Sequence, residues 1–202
     1  MRKSKAETAE TRKRIVNVAS QVFKCNGINA TGVSEIMAAA GLTHGGFYRH
    51  FESKEQLVAE ACAVSMEELV GAAEIAVDGG DETFLQHIQD FLSADFRDDR
   101  SGGCPLVAMG SELARADADT RRAASAGFEG LIELMVKRSR FKDPETAKAD
   151  VIFALSSMIG AVTMSRIVDD PELSDLILES TKTRLLELSS GPKIKRAKTK
   201  AT

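Results

Sequence analysis

Residues 31–54 read TGVSEIMAAAGLTHGGFYRHFESK, and this stretch leaves the chain little choice of fold. Residues 34–40 predict a short helix with Ile36 and Met37 on its inner side. Gly41 stands where a helix exit takes the left-handed backbone that glycine adopts without steric cost. Leu42 then reads as a buried hinge and Thr43 as the cap of a second helix. Two short helices on a glycine turn make a helix-turn-helix, whose second helix enters the DNA major groove.

The residues of the second helix fit that partner. Gly45 and Gly46 are poor helix formers, but they let a backbone lie close to a DNA strand, and a helix N-terminus favours a phosphate. Phe47 and Phe51 are one turn apart and predict anchors to a core. Tyr48, Arg49 and His50 point elsewhere and offer a hydroxyl, a cation and an imidazole. Ser53 predicts the cap of a further helix, with Gln56 completing a capping box. Lys54 falls in that helix's first turn, where the helix dipole prefers an acid, so its cation points to an external anion such as a DNA phosphate.

These residues closely resemble the DNA-binding domain of the TetR/AcrR family of bacterial transcriptional regulators. The resemblance rests on Thr31, Ile36-Met37, Ala40-Gly41-Leu42-Thr43, Gly46-Phe47-Tyr48-Arg49-His50-Phe51 and Ser53-Lys54-Glu55-Gln56-Leu57. Gly32 departs from the pattern, where the family often has a second Thr or Ser. The strong match covers about the first quarter of the chain.

The chain of 202 residues is long enough for a sizeable core, and its scarce aromatics, absent Trp and four Pro predict an all-α fold. Net charge is −3, but it is unevenly spread: residues 1–57 carry nine Lys/Arg against five Asp/Glu, and residues 58–190 carry 13 against 25. A net acidic chain with its positive charge at one end can still bind DNA. No signal peptide is read at the N-terminus and no apolar run of membrane-spanning length, so a cytoplasmic protein without a membrane partner is expected. Cys25, Cys62 and Cys104 are odd in number and lack metal-ligand spacing, which fits a reducing compartment. An enzyme is not expected: His44, His50 and His87 are the only histidines, and no P-loop, GxSxG or HExxH occurs. No metal or cofactor is expected either.

Periodicity predicts about nine helices: 9–26, the two of the reader, a fourth from 53 to about 73, and then 82–96, 105–116, 119–140, 144–168 and 171–189. Residues 78–81 (Asp-Gly-Gly-Asp) predict a linker, and Asp143-Pro144 and Asp170-Pro171 predict helix starts. The expected division is a three-helix helix-turn-helix domain over 1–60, a helical ligand-binding and dimerisation domain over 61–190, and a basic disordered tail over 191–202. The tail carries Lys193, Lys195, Arg196, Lys198 and Lys200, and Arg2, Lys3 and Lys5 form a basic arm that follows DNA or is simply disordered. The ninth helix is apolar on more than one face, with Leu173, Leu176 and Ile177 and then Leu178, Leu185 and Leu188. That pattern fits either a single-chain core or a second chain.

The resemblance implies a homodimer through the last two helices, reading a palindromic operator on double-stranded DNA. Phosphate contacts fall to Thr31, Thr43, Tyr48, His50 and Lys54, and base-edge readout to His44, Gly45 and Arg49, with Gly46 in the close approach. It also implies a repressor released by a small-molecule effector, with Phe84, His87, Phe91, Met109, Phe128, Met135, Phe153 and Met158 as candidate lining residues. Cys104 sits before Pro105 at a helix start, where a thiolate would be stabilised. It reads either as a packed cap residue or as a sensor of electrophiles and oxidants. A helical interaction module that binds no DNA is the remaining alternative.

Overall fold

The computed structural model describes residues 4–99, 103–139 and 143–189; Arg2, Lys3 and the tail 191–202 lie outside them. Nine α-helices, one 3-10 helix and no strand occur among the described residues, so the fold is all-α. They are α1 (Lys5–Asn26), α2 (Val33–Ala39), the 3-10 helix His44–Arg49, α3 (Lys54–Asp78), α4 (Gly80–Phe91), α5 (Ala94–Asp98), α6 (Pro105–Leu113), α7 (Ala118–Arg138), α8 (Pro144–Ile167) and α9 (Pro171–Ser189).

Helix ends follow from local chemistry. α1 starts ahead of its apolar stripe because Ser4 and Glu7 form a capping box: Glu7 N–H donates to Ser4 Oγ at 3.1 Å, and Ser4 N–H donates to the Glu7 carboxylate at 2.6 Å. Asp143 accepts from Thr146 N–H at 3.0 Å, so α8 begins at Pro144 as the sequence predicts. α3 runs past its expected end to Asp78, and the expected linker is a tight corner: Gly79 alone separates α3 from α4, and Gly80 has φ +88°.

Two expected helices differ. The helix expected over 82–96 breaks at Leu92, which turns fully into the core, and Ser93 then caps α5 by accepting from Phe96 N–H at 3.1 Å. The second reader helix is 3-10 rather than α, with Gly46 N–H donating to Thr43 O at 3.0 Å and His50 N–H to Phe47 O at 2.8 Å. Consecutive glycines weaken the α alternative there.

Packing divides into two cores. Ile15, Ala19 and Phe23 of α1 meet Ile36 and Met37 of α2, Phe47 and Phe51 of the reader, and Leu57 and Ala61 of α3; Met109 and Leu113 of α6 close this core from the other side. The reader is therefore built into the helical body. A second core joins Leu92 to Met158, Ala161 and Val162 of α8 and Leu178 and Leu185 of α9. Leu178 and Leu185 of α9 are buried and Ile177 packs against this core, while Leu173, Leu176 and Leu188 are exposed, so Ile177 and Leu188 each fall on the other side from the set in which the sequence places them.

α8 corrects one expectation. Over its best window this 24-residue helix has a mean hydropathy of 1.4, long and apolar enough by length and composition to cross a membrane. Its buried side packs on α9, α7 and α6, and Ile152, Phe153, Met164 and Ile167 face outward.

Candidate nucleic-acid interface

The reader stands on an aromatic platform. Phe47 and Phe51 are buried and their rings stack at 5.4 Å. Tyr48 packs edge-on against Phe47 at 5.2 Å and leaves 69% of its surface exposed. A large side chain so exposed on so fixed a base costs little entropy to engage a partner.

Arg12 of α1 fastens the far end of this platform. Its Nε donates to the His50 carbonyl at 3.1 Å, its two terminal nitrogens engage the Glu60 carboxylate of α3, and its guanidinium lies 4.5 Å from the Phe51 ring centre. The Glu60 contact holds the guanidinium above its ordinary pKa. Sequence reading passed over Arg12 because its partners lie 38 and 48 residues away.

Thr43, His44, Gly45, Tyr48 and Arg49 are exposed along one edge, whereas Gly46 and His50 are half-buried. Thr43 holds the extended cap conformation but its hydroxyl accepts no capping hydrogen bond, and Leu42 is half-buried rather than buried. His44 Nδ1 is hydrogen-bonded to Ser34 Oγ at 2.9 Å, which fixes the imidazole toward α2. A side chain added at Gly45 would meet no protein atom within 4 Å. Packing within the chain gives no reason for a glycine there.

Two expected phosphate contacts point inward. Thr31 is 1% exposed, and its hydroxyl donates to the Gly27 carbonyl at 2.7 Å. Lys54 is half-buried, and its ammonium donates to the Ile28 carbonyl at 2.7 Å. Both side chains brace the α1–α2 turn, in which Gly27 takes φ +85°. Lys54 keeps two further donors on its ammonium, whereas the Thr31 hydroxyl has turned away from the surface. Glu112 of α6 completes the brace by accepting from Ile28 N–H at 2.9 Å and Asn29 N–H at 2.7 Å. The expected Ser53–Gln56 box is shifted by one residue: Gln56 N–H donates to Ser53 Oγ, but Gln56 Oε1 accepts from Glu52 N–H.

The effector candidates divide between the two cores and the surface, with Phe91 packed against the same core as Met158. Met109 and Phe128 belong to the reader-side core, and Met158 belongs to the second core. Phe153 is 55% exposed on the outer side of α8. Phe91 stacks on Phe96 at 4.6 Å, and Phe84 lies 3.8 Å beneath the Arg138 guanidinium. Burial lowers the pKa of the half-buried His87 imidazole against the opposing pull of Asp90, and Met135 is half-buried on α7. Cys104 caps α6 as expected, but it is only 6% exposed. Burial pushes its thiol up by more than the amides of Val107 and Leu106 lower it, which suits a packed residue better than a nucleophile. Cys62, also buried, is pushed up to about 11. No group of three or more His, Cys, Asp or Glu able to hold a metal occurs among the described residues.

Residues 15–61 match the family model described as bacterial regulatory proteins, tetR family. The HTH-type transcriptional regulator AcrR of Shigella flexneri is 40% identical over 74 residues, which are 37% of this chain and 34% of AcrR. With that relative the chain shares only about a third of the length. An HTH-type transcriptional regulator of Mycobacterium tuberculosis, MT0206, is 27% identical over 186 residues, covering 87% of this chain and 94% of the relative. The crystal structure of a TetR transcriptional regulator from Chloroflexus aurantiacus J-10-FL superposes with a TM-score of 0.73 at 28% identity, covering 92% of this chain and 97% of that one.

Proposed function

We propose, for a chain that belongs to the TetR family of helix-turn-helix DNA-binding transcriptional regulators, that it acts as a homodimeric repressor on a palindromic operator and leaves it when a small-molecule effector binds. The observation that carries this reading is the exposed edge from Thr43 to Arg49 on the buried Phe47–Phe51 platform. Gly45 is open to solvent without an internal reason, and a close DNA backbone supplies one.

In this reading Tyr48, Thr43, His50 and the remaining donors of Lys54 take phosphates and set the register. His44, Gly45 and Arg49 approach base edges, where an Arg reads guanine in two-pronged fashion. Thr31 is assigned to holding the turn rather than to DNA.

The second copy fits the outward apolar face of α8 and α9, formed by Phe153, Met164, Ile167, Leu173, Leu176 and Leu188. Exposed apolar side chains on two neighbouring helices fit an interaction surface, and a two-fold pairing buries them against their own copies. The pairing also sets two readers against half-sites roughly 34–36 Å apart or somewhat more. Occupying an operator that overlaps a promoter excludes RNA polymerase, and the place of action is the cytoplasm, where the DNA is.

The test is footprinting on the DNA upstream of the protein's own gene across a salt series. A protected palindrome that Tyr48→Ala abolishes while the protein stays folded supports the reading. Absence of DNA binding at every salt concentration refutes it.

A further inference from the structure

His44 is the first residue of the reader helix, and its imidazole is held from two sides. On one side Ser34 Oγ of α2 lies 2.9 Å from Nδ1, a contact between two helices made by residues ten apart in sequence. On the other, the Tyr48 ring, one turn along the reader, meets the imidazole edge-on with centroids 6.4 Å apart. Ser34 is the second residue of α2, and α2 takes no side-chain cap. Its hydroxyl is spent on the imidazole rather than on its own helix.

Fixing one ring nitrogen sets the task of the other. A serine hydroxyl has a single hydrogen and turns to suit its neighbour. Where it donates to Nδ1, the proton of the neutral ring sits on Nε2. Nε2 makes no hydrogen bond among the described residues, and His44 is exposed. Gly45 follows it, with no protein atom within 4 Å of where a Cβ would stand, so a DNA strand can come close. In the major groove guanine presents two neighbouring acceptors, N7 and O6, to such an N–H. Adenine offers N7 beside a donor, and cytosine offers an amino donor that repels it.

We propose that Ser34 is a positioning residue for base readout: it holds the His44 imidazole in the Nε2–H form, and that N–H selects guanine at one position of each half-site. The assignment rests on the reading that the edge from Thr43 to Arg49 meets DNA, and it names the base that one residue of this edge reads. Because Ser34 and Tyr48 order the ring before DNA arrives, little rotamer freedom is lost on binding. Ser34 acts through His44 and not on DNA itself, which separates it from the phosphate contacts of the same edge.

Two measurements on the full chain test it. The first needs no DNA: heteronuclear NMR of the His44 ring nitrogens, followed to the fully deprotonated ring, tells which nitrogen carries the proton. The parent should show the Nε2–H form, and Ser34→Ala a mixture of both forms. The second is selection of binding sites from a random double-stranded DNA library. The parent should favour guanine at one position of the half-site by about tenfold, within the usual cost of one mispaired base. His44→Ala should lose that preference, Ser34→Ala should lose most of it, and Ser34→Thr, which keeps the hydroxyl, should regain it. A proton on Nδ1 in the parent, a Ser34→Ala selection identical to the parent's, or a loss spread evenly over all positions would each overturn the proposal. The last is the mark of a phosphate ligand. These failures leave DNA binding by the parent intact, whereas a parent that selects no sequence refutes the operator reading and the base assignment with it.

Discussion

The Glu112 carboxylate of α6 holds the main-chain N–H of Ile28 at 2.9 Å across 84 residues of sequence, and its other oxygen takes the next N–H, that of Asn29. A side chain of the helical body thus serves the turn between the first two helices of the reader. Ile28 is 9% exposed, so its N–H has little access to water if the carboxylate leaves.

Glu112→Ala should therefore lower stability by roughly 1–3 kcal/mol, the cost of a buried N–H left without an acceptor. Glu112→Gln, which keeps one acceptor oxygen, should lose less. Thermal unfolding of the two variants checks the order, and limited proteolysis should show the turn at 27–29 opening first in the alanine variant. Equal stability of both variants to the parent would remove the brace from the account.

Gly27 gives an independent check of the same contact. Its φ of +85° is poorly tolerated by other residues, and a Cβ there would lie 3.0 Å from Glu112 Oε2. Gly27→Ala should destabilise by about 1–3 kcal/mol from backbone strain with crowding added. In the Glu112→Ala background the crowding disappears and the strain stays, so the double variant should be more stable than the sum of the single effects predicts.

Arg12→Ala should weaken operator binding while leaving most of the helix content, because it frees the His50 end of the reader and touches no residue of the exposed edge. Arg12→Lys should restore little, since an ammonium cannot engage the Glu60 carboxylate and the His50 carbonyl with one planar fork. Footprinting titrations beside circular dichroism separate the two effects. A parent-like affinity in Arg12→Ala would show that the reader needs no such fastening.

His87 sets a pH dependence. Burial lowers its folded-state pKa below the ordinary imidazole value, so the unfolded chain takes up the proton more readily. The stability seen at neutral pH should fall as pH drops through the ordinary imidazole range, and continue falling until the folded-state pKa is reached. His87→Gln should flatten that part of the thermal-stability profile. The capping carboxylates of Asp117 and Asp143, whose hydrogen bonds from Thr120 and Thr146 hold their pKa values low, act in a more acidic window: their contribution is present above the ordinary carboxylate range and lost below it. An unchanged slope near neutrality in His87→Gln would assign the acid sensitivity elsewhere.

Leu176→Glu places a charge on the outward face of α9, where Leu176 is 60% exposed. In the proposed dimer it should yield a folded monomer by light scattering and a large loss of operator affinity, because two linked readers gain from effective concentration that one lacks. A dimer that survives both Leu176→Glu and Ile167→Asp would move the interface to another surface.

Much of the reader was legible because its signals are local. Gly41 has φ +69° at the turn where the sequence asks for it, and Phe47 and Phe51, four residues apart, both reach the core. The Asp-Pro starts of α8 and α9 were equally plain. Contacts that cross the chain were not. Lys54, expected to reach a phosphate, also spends one donor on the Ile28 carbonyl 26 residues away, and nothing near Glu112 announces a partner. The break at Leu92 was hidden because the apolar period continues through it. The distribution of the effector candidates over two cores was not legible for a similar reason: spacing marks a residue as inward but does not say into which core.

α3 begins at Lys54 beside the reader turn and runs without interruption to Asp78, where it meets the α4 corner. A helix of 25 residues is a rod roughly 37 Å long at about 1.5 Å per residue. By simple leverage, a tilt of only about 5° at one end carries the other end some ~3 Å, close to the ~3.4 Å rise of one base pair. In the proposed dimer, a displacement among the body helices too small to disturb their packing would therefore be enough to put one reader a full base step out of phase with its twin.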